Sequence, residues 1–529
     1  DGVVGAPVAV EQVDGNIEES RFPELVDPVC PFQDIRALGH EIMPGVMVTC
    51  RMEGDAFEME DHRNWMDASY KTYVRPLALP WPYTIEKGVK TPQKVELTIN
   101  GLAGGGTSAG AAQPVSVAVG AGTGHGMPRI GLAVPAEHAA DAIESAEMIR
   151  NADPAFLVCH FDARKGHGAD AMRHYRDLAV ATGAELVLEA VVPCLDANGE
   201  PTGDLEILNR DMAVIGDAAK AAGVSFARVA VSPSSDLKCT LPGSDFPDAP
   251  GWDELVAAAR QTFPGAFAGG GMFSYFTELN RKRPPAELLD FICHSGCPIV
   301  HAGDDVSLTE TLESLPSIFR SVRAFGGGKP HWVFPTAVSM RDNPYGAVPA
   351  ENPDNIRQAM NRVDPRDRGL LGAAWYAGYL AHAARAGVDA VTLAAATGPS
   401  GIVYTRQDHA QPWLDEAGVP VLAKYHVLAG HAALSGEVHE TAISDARSVQ
   451  ALAVSGDDGL TLWLSNLTGE ARTITLSGVP EGGMARILDA SSFEQACGDA
   501  DWRSRAAATP VDPSGMELDA YAVAEIRFG

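Results

Sequence analysis

ELVLEAVVPCLDANGEPTGDLEILNRDMAVIGDAAKAAGVSFARVAVS, residues 185–232, is the stretch on which the fold turns. Two short apolar runs, ELVLEAVV (185–192) and ARVAVS (227–232), enclose an amphipathic stretch, DMAVIGDAAKAAG (211–223). An apolar run without alternation suits a strand covered on both faces, and a helix returning across the sheet supplies that cover. The unit therefore reads as strand, helix, strand, with the strands parallel.

The same rhythm continues in both directions. RIGLAV (129–134), AFLVCH (155–160), AFAGGG (266–271), PIVHA (298–302), HWVFPT (331–336) and AVTLAA (390–395) read as further strands. Between them lie helical stretches such as AADAIESAEMIR, PAELLDFICHS, TETLESLPSIFRSVRAF and RGLLGAAWYAGYLAHAARAG. Eight such repeats over about 300 residues predict an α/β fold with a closed (β/α)8 TIM barrel rather than an open sheet. No GxGxxG follows the first strand, and AGGG (268–271) lacks the spacing and downstream acid of a dinucleotide site.

The flanks follow a different pattern. Residues 1–125 are rich in Pro and Gly, with strand-like VMVTC (46–50), KVELTI (94–99) and VSVAV (115–119) around a flexible, turn-rich insert, GLAGGGTSAGAAQ. They predict an N-terminal β-rich domain. Residues 433–529, with SVQALAVSG, GLTLWLSNLTG, ARTITLSG and DAYAVAEIRFG, predict an antiparallel β-sandwich. The barrel occupies 126–432. A chain of 529 residues is too long for one core, which agrees with this division.

Composition narrows the function classes. The formal net charge of −29 opposes nucleic acid and anionic membranes, whose binding draws on Lys and Arg. No apolar run reaches the roughly 18–20 residues of a membrane span. DGVVGAPVAV shows no basic region followed by an apolar one, so no signal peptide is expected, and without an initiator Met the chain reads as trimmed or partial at its start. The eight cysteines are scattered; only Cys293 and Cys297 are close, at the wrong spacing for a zinc knuckle, so free thiols in a reducing cytoplasm are expected.

A (β/α)8 barrel works at the C-terminal ends of its strands. There the sequence offers His160 and Asp162 after strand two, Glu189 on strand three, and Ser232, Ser234, Ser235, Asp236 and Lys238 after strand four. Next come Tyr275, Glu278, Asn280 and Arg281, then His301, Asp304 and Asp305, then Arg341, Asp342, Asn343 and Tyr345, and finally Thr397 and Ser400. A carboxylate such as Glu189 in a barrel strand is costly to bury unless used or paired, and Asp304 and Asp305 also suit a helix N-cap. With no HxH or HExxH and no GxSxG, neither a metal nor a serine nucleophile is expected, and no cofactor is.

Carboxylates beside Asn, Arg and Tyr donors suit a small polyhydroxylated ligand and general acid–base hydrolysis of a glycosidic bond or a sugar lactone. Retaining glycosidases of this architecture usually place one Glu after strand four and another at strand seven. The sequence reads SPSSDLK and PTAVSMRDN there, without Glu. A non-catalytic carbohydrate-binding protein is the third reading.

FEMEDHRNWMDASYKTYVRPLALPWP (57–82), then GGGMFSYFTELNRKRP, CPIVHAGDD and AVSMRDNPYG in that order, resemble the D-apionate lactonase family of bacterial apiose catabolism over nearly the whole chain. The resemblance implies hydrolysis of D-apionolactone to D-apionate on a barrel flanked by β domains. It also implies that Asp1 lies inside the N-terminal domain. It brings no catalytic residues with it. From chemistry, Glu189, Glu278, Asp305 and Arg341 are expected to converge as the catalytic group, with Glu189 or Glu278 as base and Arg341 or Asn343 as oxyanion donor. Asn280, Arg281, His301, Asn343, Tyr345 and Asp236 are expected to bind substrate. Should a metal-bound hydroxide act instead, His160, Asp162 and His301 are its first ligands to consider. Residues 57–77 mix charges with Trp65, Tyr70 and Tyr73, which leaves two roles open: reaching the pocket through Asp61, Arg63, Asn64 or Lys71, or stapling two domains.

Overall fold

A computed structural model describes residues 2–101 and 113–529; most of the GLAGGGTSAGAAQ insert, residues 102–112, lies outside them. Eight parallel strands close into a barrel: Arg129–Pro135, Phe156–Asp162, Glu185–Val192, Arg228–Pro233, Phe267–Met272, Ile292–Gly296, His331–Thr336 and Ala390–Ala395. The last pairs with the first, so no edge remains.

The opening unit behaves as its pattern requires. Glu185–Val192 is almost wholly buried, and the helix Leu205–Ala222 buries Leu208, Met212, Ile215, Ala219 and Ala222 on one face. Asp204 caps that helix by accepting from the amides of Glu206 and Ile207, and Gly223 ends it with φ +65°. Inside the barrel, Phe156, Val158, Val187, Val191, Phe291, Trp332 and Phe334 form a separate apolar core. Two glycines make room for its rings. A Cβ on Gly131 would stand 2.3 Å from the Phe156 ring, and one on Gly269 2.3 Å from that of Phe291. Gly131→Ala is expected to cost about 1–3 kcal/mol by overpacking, read as a lower denaturation midpoint in urea.

The sixth strand departs from expectation. PIVHA (298–302) is not a strand; the strand is Ile292–Gly296, inside the stretch read as the helix PAELLDFICHS, of which only a 3₁₀ turn at Ala286–Leu288 is helical. Ile292–Gly296 is the segment that pairs in parallel with both Phe267–Met272 and His331–Thr336, and it closes the barrel before the β-branched run at 298–302 is reached. Residues 298–302 thus leave the barrel as a loop.

An antiparallel N-terminal sheet runs in the order Ile17–Arg21, Pro7–Gln12, Ile35–Met43, Val46–Glu53 and Lys94–Asn100. At the other end a nine-stranded sheet includes Glu437–Ile443, Val449–Gly456, Gly459–Asn466, Arg472–Ser477 and Val523–Phe528. Val115–Gly126, read from sequence with the N-terminal region, belongs to this second sheet: it pairs antiparallel with Glu437–Ile443 and parallel with Arg472–Ser477. The helix Leu370–Arg385, buried nearly all round, packs on the 449–456 strand, and Arg385 donates to Thr441 Oγ1 at 3.0 Å and Gln450 Oε1 at 3.2 Å.

Residues 57–77 are a staple. Glu58–Asp61 and Tyr70–Tyr73 form a two-stranded ribbon around the 3₁₀ turn His62–Trp65. Arg63 is fully engaged, giving Nε to Asp61 Oδ1 at 2.8 Å, Nη2 to Asp61 Oδ2 at 2.6 Å and Pro23 O at 2.8 Å, and Nη1 to Ser317 Oγ at 2.9 Å. Asn64 donates to Asp27 O at 2.6 Å while its own carbonyls accept from Thr277 and Asn280 on the helix Phe276–Lys282. The charges are paired because burial would otherwise be prohibitive. All eight cysteines are free thiols, and no helix among the described residues is long and apolar enough to cross a membrane.

Candidate active site

Strand periodicity builds the centre of the site. Phe156, Val158 and His160 alternate on one face of the second strand, and Val187, Glu189 and Val191 on one face of the third; the register sets His160 beside Glu189. The apolar members fill the lumen, and the polar pair stands at the level where the lumen opens. Here lies a cavity of about 220 Å³, lined by His160, Phe273, Tyr275, Ser295, Thr336, Ser339, Arg341 and Ser400 among others.

Glu189 is completely buried. Its Oε2 meets His160 Nδ1 at 2.8 Å, and Arg341 Nη1, entering from the loop after the seventh strand, reaches Oε1 at 3.0 Å and Oε2 at 2.7 Å. Arg341 Nη2 also donates to Phe273 O at 2.9 Å, and its Nε lies 3.1 Å from Asp342 Oδ2. Burial works to raise the Glu189 carboxyl, but the Arg341 charge and the His160 ring outweigh it and hold the group at about 2. Glu189 is thus a permanent carboxylate. It fixes Nδ1 of His160 and leaves Nε2, which has no hydrogen bond among the described residues, for the cavity that His160 lines.

Tyr275 forms another wall with its backbone at φ +55°, uncommon for a residue with a side chain. Its N–H donates to Ser295 Oγ at 3.1 Å and its hydroxyl to Asp342 O, which holds it there. The cavity's own carboxylates are both matched: Glu137 by His167 at 3.4 Å and Lys165 at 4.0 Å, Asp342 by Arg341.

The sequence reading expected a wider convergence than this. Glu189 and Arg341 meet, but Glu278, Asp305, Asp236, Asn280, Arg281, His301, Asn343 and Tyr345 do not line the cavity. Glu278 Oε1 accepts from Thr240 N at 2.8 Å with Arg281 at 3.4 Å, and burial raises its carboxyl above the ordinary value. Asp305 pairs with Arg357 at 2.8 Å and Arg366 at 3.6 Å, and Asp236 pairs with Lys282. Asn280 holds Val26 O and Asn64 Oδ1, both at 2.9 Å, and Arg281 holds Thr240 O at 2.8 Å. Asn343 closes its own loop, donating from Nδ2 to Val348 O and accepting at Oδ1 from the amides of Tyr345 and Gly346, and it lies outside the cavity lining. Tyr345 packs on Trp65 at 5.8 Å, and His301 bonds Asp67 Oδ2 at 2.7 Å. The trio His160, Asp162 and His301 does not assemble either, since Asp162 is held by Arg164 at 2.7 Å.

Sequence reasoning passed over Glu137, His138, Lys165, Ser295, Thr336 and Ser339. Glu137 and His138 follow the first strand at once, so the strand-end rule alone would have found them. Ser295 was hidden by the misplaced sixth strand.

A closed (β/α)8 barrel with a cavity at the C-terminal mouth is the framework of the TIM-barrel enzymes. Family models place the chain among them more narrowly: D-apionate lactonase N-terminal domain over residues 1–102, TIM barrel domain over 130–436 and C-terminal immunoglobulin-like domain over 446–526. The D-apionate lactonase of Brucella anthropi is 41% identical over 477 residues, covering 90% of this chain and 75% of the relative. The chain belongs to the D-apionate lactonase family. Among solved structures, a family 51 α-L-arabinofuranosidase from Bifidobacterium longum matches at TM-score 0.48 and 11% identity, over 78% of this chain and 99% of the other. A conserved exported protein from Bacteroides fragilis matches at TM-score 0.48 and 10% identity, over 78% and 100%.

Proposed function

We propose that the chain hydrolyses a sugar lactone, D-apionolactone to D-apionate, in the cavity at the barrel mouth. Family membership and the activity named for the Brucella anthropi relative support the reaction. The observation that carries the mechanism is the Glu189, His160 and Arg341 group, with a buried carboxylate behind an imidazole and a guanidinium beside it. His160 Nε2 takes a proton from water as its oxygen attacks the lactone carbonyl carbon. Glu189 stabilises the imidazolium that forms, and the Arg341 charge stabilises the oxyanion. The tetrahedral intermediate collapses with cleavage of the ring C–O bond, and His160 returns the proton to the departing alkoxide. The product is a hydroxy acid, which ionises at neutral pH. A cavity of about 220 Å³ suits one small sugar ring rather than a polymer.

The test is acid release, followed by pH indicator, when purified protein meets D-apionolactone, a panel of aldonolactones and aryl glycosides. Lactone opening without aglycone release is expected. Hydrolysis of an aryl glycoside with no lactone opening overturns the reading in favour of a glycoside hydrolase. Within the same assay Glu278→Gln is expected to keep kcat/KM within about tenfold, a barrier change below ~1.4 kcal/mol, because Glu278 stands outside the cavity.

A further inference from the structure

We propose that His62, Asp67 and His301 form a binding site for one divalent cation of the zinc type, tying residues 57–77 to the loop after the sixth barrel strand. One side-chain donor atom from each of the three lies within 4.8 Å of the others. Two imidazoles and a carboxylate are a donor set for zinc and its late first-row neighbours, with water completing the shell. Burial is graded in a way that suits entry: His62 is buried, Asp67 half-buried and His301 exposed, so the open side faces solvent.

The second observation is an unsatisfied atom. His62 is only 8% exposed, and its Nε2 has no hydrogen-bond partner among the described residues, while Nδ1 faces Ser69 Oγ at 3.4 Å. A buried ring nitrogen with no hydrogen bond, and only the Glu60 carboxylate beside it, calls for an explanation, and a metal bond at Nε2 is one. Glu60 Oε2, 3.4 Å from that nitrogen, supplies a counter-charge, with its other oxygen held by Trp65 Nε1 at 3.1 Å. His301 Nδ1 and Asp67 Oδ2 already meet at 2.7 Å. The two imidazoles lie stacked, centroids 4.7 Å apart and planes within 9°, so coordination requires one ring to turn until its nitrogen lone pair points at the ion. None of the three residues lines the cavity, and the site stands independently of the lactonase reading.

The experiment uses the untagged full chain, dialysed against chelator and then titrated with zinc by calorimetry and with cobalt by visible absorption. Expected are one equivalent of zinc, cobalt d–d bands, and a zinc-dependent rise in Tm. Asp67→Asn, which keeps the side-chain shape, and His301→Ala, at the exposed end, are each expected to weaken zinc binding roughly 10–100-fold and to lose the bands. No saturable binding in the micromolar range, or binding equal to wild type in both folded variants, overturns the site.

Discussion

His160→Gln is expected to lower kcat on the lactone by roughly 10²–10⁴-fold, the usual contribution of a positioned general base. Gln preserves a hydrogen-bonding group near Glu189 Oε2 and fills similar space, but it takes no proton from water. Binding contacts elsewhere in the cavity persist, so KM should move far less than kcat. Urea unfolding should show little change in stability, since Glu189 is the only hydrogen-bond partner of the His160 side chain among the described residues and Gln can still donate to it. Steady-state kinetics checks the claim, and a kcat within about threefold of wild type would remove His160 from the mechanism.

Glu189→Gln should have the other large effect, felt by both stability and rate. Arg341 would keep Asp342 but lose the fully buried one of its two carboxylate partners, so a cost below the roughly 3–5 kcal/mol of a wholly unpaired buried charge is expected. The activity falls too, because neutral Gln cannot stabilise a charged imidazole. Pairing it with Arg341→Met removes both charges of the Glu189 pair and should recover part of the stability without recovering activity, the half-buried Asp342 being left without Arg341, which separates the two losses. Acid titration supplies an independent check. The Glu189 carboxyl is held at about 2 against an ordinary 4.5, so its contribution is complete above 4.5 and is lost as pH falls towards 2. In that window the unfolded chain binds the extra proton, and wild type should lose about 1.4 kcal/mol per pH unit more than Glu189→Gln. Parallel stability curves for the two proteins would contradict the pairing.

The barrel was legible because strands buried on both faces leave continuous apolar runs, and HWVFPT and AVTLAA mark their strands to the residue. ICHSG was illegible because its apolar part is only Ile292 and Cys293, too short a run to signal a strand; pairing with both neighbours makes it one. Glu189 declared itself as a carboxylate in an apolar run, and its strand parity with Val187 and Val191 already pointed it into the lumen. Its role did not follow, since that depends on His160 across the register and on Arg341, which lies 152 residues further along the chain. Glu278, Asn280 and Arg281 looked like a sugar-binding loop because side chains that staple domains have the same donors and charges as those that hold a ligand. Only their partners, Thr240, Val26 and Asn64, tell the two apart.

The strand Val115–Gly126 has a consequence for how the molecule is made. It precedes the barrel in the chain, yet its partners Glu437–Ile443 and Arg472–Ser477 emerge from the ribosome only after the barrel is complete. Until then it is an open edge offering unpaired N–H and C=O groups to any other strand nearby. Closing it late in synthesis gives the C-terminal sheet contacts of very high sequence separation, which slows its folding and locks the barrel between two segments of a single sheet. Cutting the gene at residue 433 would therefore leave the Val115–Gly126 strand permanently unpaired beside a closed barrel, prone to aggregation, and the remaining C-terminal piece would be missing an internal strand of its sheet.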